Sequence, residues 1–162
     1  MTFVVLGTWE MPFVRPLREI EQAAIAGLLP EPVIVQSGHT QYASARLQLV
    51  PFFGRDELER MYDQATLLIC QAGVGSIMLG LRKHKKIITI ARLSRFAEHI
   101  DDHQLEILEV FSQIGALLPW QGNGDLADVL ARAGSFVPAS YQFARERISS
   151  AILAYLAGSV SL

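Results

Sequence analysis

Thr66-Leu67-Leu68-Ile69-Cys70-Gln71-Ala72-Gly73-Val74-Gly75-Ser76-Ile77-Met78-Leu79 decides how this chain folds. Its first half is continuously apolar rather than alternating, the pattern of a strand buried on both faces. Two glycines follow at once, and from Ser76 onward the apolar residues recur at helical spacing. A strand that passes through a small-residue turn straight into a helix is a βα unit, and such units build parallel sheets.

Working outward, short β-branched runs at residues 3–6, 32–36, 47–50, 66–70, 86–91 and 116–118 read as six buried strands. Residues 16–28, 55–63, 76–83 and 99–114 carry apolar side chains three and four apart, as at Leu105, Leu108, Phe111 and Ile114. Asp125 is placed to cap a short helix through residue 132, and residues 138–156 read as a final helix whose apolar surface exceeds what packing on one small sheet needs. Trp120-Gln121-Gly122-Asn123-Gly124 reads as a loop. The alternation predicts an α/β fold, a doubly wound, Rossmann-like parallel sheet of about six strands with helices on both faces. No repeat or linker divides residues 1–162, so one domain is expected.

With 162 residues, 51% of them hydrophobic, the chain can bury a full core, which excludes a disordered tail or a solenoid. Its one cysteine, in an apolar run, excludes a disulfide scaffold and suits a reducing compartment. Fourteen basic against sixteen acidic residues give no global pull toward nucleic acid. The start has no basic, apolar leader and no stretch is long enough for a membrane span, so a cytoplasmic location is the expectation.

In a doubly wound sheet, ligands bind beyond the carboxyl ends of the strands where strand order reverses, usually the first and the fourth. Gly73, Val74, Gly75 and Ser76 stand there at the start of a helix, where backbone N–H groups and the helix dipole can hold a phosphate. A turn needed only for tight packing reads equally well from Gly-x-Gly-Ser, which is neither a Walker loop nor a full dinucleotide fingerprint. Gly7-Thr8 supplies a facing turn and hydroxyl. Glu10 is the carboxylate there that could serve as a general base, although a solvated surface Glu looks the same.

The densest polar cluster is Glu98-His99-Ile100-Asp101-Asp102-His103-Gln104. Its acids suit a first helical turn, and Asp102, His103 and Gln104 also offer the mixed donors and acceptors that sugar hydroxyls require. His99 and His103, four apart, have metal-binding spacing, but no third ligand motif accompanies them and no metal is expected. Arg92 and Arg95 follow the fifth strand, near the expected crevice, where either could offset anionic charge. The run Arg82-Lys83-His84-Lys85-Lys86 closes a helix, where cations complement the carbonyl end.

Gly7-Thr8 with Pro12-Phe13, the segment from Cys70 to Ile77, and Glu98-His99 with Asp102-His103-Gln104 resemble the donor-binding half of GT-B glycosyltransferases, of the family 28 C-terminal type. The resemblance spans nearly the whole chain and is strongest to the small subunits of two-component bacterial exopolysaccharide glycosyltransferases, themselves similar to the catalytic subunit of the eukaryotic dolichol-pathway N-acetylglucosaminyltransferase. It implies inverting transfer of a hexose or hexuronic acid from a UDP-sugar to a lipid-linked saccharide acceptor, with neither cofactor nor metal. It also implies a membrane-anchored, acceptor-binding partner subunit that recruits this chain to the inner face of the cytoplasmic membrane, with the final helix as docking element.

Carried over by residue, the resemblance gives Gly7, Thr8, Gln71, Gly73, Val74, Gly75, Ser76 and Arg92 to the nucleotide diphosphate. It gives Glu98, His99, Asp102, His103 and Gln104 to the donor sugar. Two positions depart from the family pattern: Gln71 stands where His is common, and Leu79 where many members carry a Glu that bonds the ribose. These departures motivate the alternative of a non-catalytic sugar-nucleotide-binding or regulatory module.

Overall fold

The computed structural model describes residues 1–139. Six strands, β1 (Thr2–Val5), β2 (Val33–Gln36), β3 (Leu47–Val50), β4 (Leu67–Gln71), β5 (Lys86–Ile90) and β6 (Leu118–Trp120), form one sheet in the order β3-β2-β1-β4-β5-β6. Every pairing is parallel, with Thr2 of β1 opposite Val33 on one side and Leu67 on the other. Strand order therefore reverses between β1 and β4, where the first and fourth strands were expected to open a crevice.

Among the described residues five α-helices cover the sheet: α1 (Val14–Ile25), α2 (Arg55–Gln64), α3 (Val74–Arg82), α4 (His103–Gln113) and α5 (Leu126–Ser135). Side chains alternate across each strand, so β1 sends Val4 to one core layer and Phe3 and Val5 to the other. Leu17 and Ile20 of α1 and Leu126 and Val129 of α5 fill the first layer. Tyr62 of α2, Ile77 and Leu81 of α3, and Leu108 and Phe111 of α4 fill the second. Cys70 is wholly enclosed there, and burial pushes its thiol up to about 12.

Three sequence expectations shift, and a fourth goes untested. Residues 99–102 are not helical; the chain instead makes a 3-10 turn at Ser94–Phe96, reverses at Ala97 with φ +53°, and enters α4 only at His103. The sixth strand lies two residues later than expected, because the buried Trp120 packs into the first core layer and draws its segment into the sheet. Pro119 costs nothing at that edge, where no further strand needs its N–H. Asp125 precedes α5 but does not cap it; its carboxylate accepts from the Gln121 and Gly122 N–H groups and closes the preceding turn. The helix expected over 138–156 lies, from 140 on, outside the described residues.

Candidate functional site

β4 ends at Gln71, and after Ala72 and Gly73 the chain turns into α3. No side chain caps α3 and its first turn carries no acid, so the N–H groups of Val74, Gly75 and Ser76 have no acceptor of their own. Seating this helix close to the sheet falls to Gly80: a Cβ there would stand 2.6 Å from Leu68 Cδ2 and 2.9 Å from Ile87 Cδ1. Opposite, two residues past the end of β1, Gly7 stands at φ +83°, which only glycine adopts without strain, and a Cβ there would overlap the Gln71 amide.

Between these two turns opens a cavity of about 320 Å³. Gly7, Thr8, Gln71, Gly73, Gly75 and Ser76 line its glycine side; Val74 is exposed beside them. Val5, Gln36, Leu58, Tyr62 and Leu79 line the rest of it; of these only Leu79 was marked in the sequence, as a departure from the resembled family. Gln36 had a weak signal, as the polar end of an apolar strand.

The polar lining is made of hydrogen-bond donors. Gln71 Oε1 accepts from Arg92 Nε at 2.6 Å, and Gln36 Oε1 accepts from the Phe53 N–H at 3.3 Å. Both partners can only donate, which fixes each amide with its oxygen engaged and its NH2 free. With the open N–H groups of α3, the Thr8 and Ser76 hydroxyls and no carboxylate in the lining, the cavity is built to receive an anion.

Arg92, expected to face the diphosphate, is 1% exposed and lies beneath the site. Besides Gln71 it donates to Leu6 O at 2.8 Å, Met11 O at 2.7 Å and Glu98 O at 3.0 Å, with its carbon 4.5 Å from the centre of the Phe13 ring. Four of its five N–H donors are thus engaged, and the guanidinium ties together the loops after β1, β4 and β5. Burial lowers it to about 10, partly offset by Glu98, so it stays cationic at neutral pH.

The residues expected at the donor sugar separate into three groups. Glu98 is buried in a bidentate pair with Arg15 at 2.9 and 2.8 Å and accepts from the Leu93 N–H; Gln104 is buried and accepts from the Arg92 N–H at 3.0 Å. These two brace the loop. His99 stacks on Trp9, centroids 4.7 Å apart, which carries the loop after β1 onto this segment. Asp101 bonds to both His99 and His103, and the hydrogen bond from His103 holds its carboxyl below the usual range. Asp102 accepts from the Ser94 N–H at 2.7 Å. Asp102 and His103 remain exposed, as does Glu10.

Donor atoms of His99, Asp101 and His103 lie within 4.8 Å of one another, a grouping that could approach a cation. The hydrogen bonds through Asp101 already occupy it. Arg15, which no motif flagged, borders a second groove of about 640 Å³ with Arg18, Glu19 and the half-exposed Phe96. Among the described residues no helix is long and apolar enough to cross a membrane.

A glycine turn at the β1–β4 reversal of a six-stranded parallel sheet gives the layout of a Rossmann-like half of the GT-B kind. Residues 14–122, about two thirds of the chain, match the glycosyltransferase family 28 C-terminal domain, and the chain belongs to that family, whose domain is the donor-binding one. The fold is similar to ALG13 (TM-score 0.55, 21% identity, covering 86% of this chain and 90% of that one). It is also similar to MurG of Acinetobacter baumannii (0.52, 20%, 83% and 40%) and to the glycosyltransferase SnogD of Streptomyces nogalater (0.52, 12%, 96% and 44%). The chain spans less than half the length of these last two. No curated protein matches it by sequence.

Proposed function

We propose that this chain is the UDP-sugar-binding catalytic subunit of an inverting glycosyltransferase that adds a hexose or hexuronic acid to a lipid-linked exopolysaccharide precursor. The observation that carries the reading is the uncapped N-terminus of α3, opening with Gly73 and Gly75 into a donor-lined cavity where strand order reverses. A diphosphate seated there meets the N–H groups of Val74, Gly75 and Ser76, the Thr8 hydroxyl and the Gln71 amide. As the glycosidic bond breaks, charge grows on that diphosphate, and preoriented donors stabilise it most where it is greatest. No metal is needed for this step. Asp102 and His103, exposed at the start of α4, face the donor sugar, while Arg92, Glu98 and Gln104 hold the loops that present it. Glu10, exposed after β1, is the candidate base for the acceptor hydroxyl.

The acceptor half is then a separate, membrane-anchored subunit that brings this chain to the inner face of the cytoplasmic membrane. Support comes from the likeness of the fold to ALG13. Leu79, apolar at the cavity wall, favours one other reading, a module that binds the nucleotide without turnover.

Calorimetric titration with UDP and UDP-sugars, with and without EDTA, tests the site. Gly75→Asp is the decisive variant: a Cβ at Gly75 meets nothing within 4 Å, and an acid in a first helical turn stabilises the helix. It nevertheless sets a negative charge against the diphosphate, so UDP affinity is expected to fall by more than about 2 kcal/mol. Unchanged affinity overturns the assignment. Transfer by the pair with its partner subunit separates the enzyme from the silent module.

A further inference from the structure

We propose that Arg15 is a positioning residue for the diphosphate site: it holds the Glu98 carboxylate, so that Arg92 stays bonded to Gln71 and the Gln71 NH2 stays turned toward the cavity. The inference rests on the nucleotide reading above and concerns a residue outside the cavity lining. Arg15 stands in the first turn of α1 with its side chain 15% exposed. Its Nη2 donates to Ala91 O at 2.7 Å, and Glu98, which it pairs with, accepts from the Leu93 N–H at 3.1 Å. Arg15 thus grips the backbone on both sides of Arg92. Its Nη1 reaches Gln121 O at 3.1 Å, and Gly122 leaves it room, since a Cβ there would stand 2.3 Å from that nitrogen.

The charges decide what this grip does. The Arg92 and Arg15 guanidiniums lie 4.5 and 5.6 Å from the centre of one ring, Phe13, and the Glu98 charge acts on Arg92 as well, opposing the fall that burial causes. Yet Arg92 gives its side-chain donors to neutral acceptors, Gln71 Oε1 and the carbonyls of Leu6, Met11 and Glu98. A hydrogen bond between two charged groups is about twice as strong as one between neutral groups, so a free carboxylate would compete with Gln71 for Arg92. It does not compete because Arg15 holds both Glu98 oxygens. Without Arg15 the carboxylate is buried and unpaired, and it draws on Arg92, whose Nη1 already donates to Glu98 O at 3.0 Å. Arg92 turned toward that carboxylate releases Gln71, and an amide with no partner on its oxygen can present that oxygen, instead of its NH2, to an anion.

Urea unfolding and calorimetric titration with UDP test this on the full chain, using wild type, Arg15→Lys, Arg15→Met and Arg15→Met combined with Glu98→Gln. Lys keeps a cation on Glu98 but has too few donors for Ala91 and Gln121 as well, so it is expected to lower the urea midpoint and to cost no more than about threefold in UDP affinity. Arg15→Met lowers the midpoint and loses about tenfold or more in UDP affinity. Adding Glu98→Gln removes the stranded charge and keeps an acceptor for the Leu93 N–H, and is expected to bring UDP affinity back to within about threefold of wild type. A merely structural Arg15 would make affinity follow stability across all four proteins. Unchanged UDP affinity in Arg15→Met, an equal loss in Arg15→Lys, or no recovery in the combined variant overturns the role of Arg15 and leaves the diphosphate site standing. Should Arg15→Met not fold, a loss of about tenfold in either Arg15→Lys or the combined variant overturns it. If wild type does not bind UDP, the nucleotide reading falls and this one with it.

Discussion

Replacing Arg92 distinguishes a residue that touches the diphosphate from one that builds the site. Arg92→Met keeps the length and apolar stem but removes every donor, leaving Leu6 O, Met11 O, Glu98 O and Gln71 Oε1 without the bonds they now receive. Each acceptor stranded in a buried setting costs about 1 kcal/mol or more, so a loss of about 4 kcal/mol is expected, within the range for breaking a buried charged network. For a domain of this size that is a fall of about 10 °C in Tm. Arg92→Lys restores a charge with three donors on a thin stem, which cannot reach four acceptors spread over three loops, and about half the loss is expected to persist. Urea unfolding of the three proteins gives the midpoints, and UDP titration gives the affinities. If Arg92 faced the ligand, Lys would leave stability near wild type and retain most UDP affinity. A stability change under about 1 kcal/mol in Arg92→Met refutes the tying role.

Two glycines of α3 make opposite predictions on one helix. Gly80→Ala drives a methyl into Leu68 and Ile87 and is expected to cost about 1–3 kcal/mol, whereas Gly75→Ala, with open space around it, gains about 0.5–1 kcal/mol from helix propensity; urea midpoints that move together refute the close seating of α3. Cys70 is expected to resist iodoacetamide in the native protein and react on unfolding, since only its thiolate attacks. Its folded pKa is raised, so its contribution is complete below the unfolded value near 9 and declines as pH climbs from there toward about 12. Alkylation of native protein at pH 8 at the rate of a free thiol contradicts the burial.

The strands follow from patterns that need no contact information, since Leu67 to Cys70 is apolar throughout and glycines mark where it ends; their order in the sheet does not. The start of α4 was not legible in the same way. Asp101, Asp102 and their flanking histidines have the composition of a first helical turn, yet Asp102 bonds backward to Ser94 and Asp101 to both histidine rings as well as the His103 N–H, so those acids organise the loop that leads into α4. Trp120 misled through its neighbours, a run of glycine and polar residues, while its own burial required a strand. The glycine turn of the site was visible because its chemistry is local. Arg92, Glu98 and Gln104 were visible as polar residues near a strand end, but whether they face inward is set by carbonyls of Leu6, Met11 and Glu98 that no local pattern reveals.

That inward engagement also makes sense of the two departures from the resembled family. Gln71 in place of His gives Arg92 an acceptor and leaves an NH2 toward the cavity; Leu79 in place of Glu removes a carboxylate from the same wall. Both changes raise the share of donors over acceptors and remove like charge from the neighbourhood of an anion. A nucleotide bound here would gain less from its ribose and more from its phosphates than in a site that keeps the Glu. Leu79→Glu should therefore not simply restore affinity. It would add a ribose acceptor and, in the same cavity of about 320 Å³, a negative charge near the α3 N-terminus on which diphosphate binding depends.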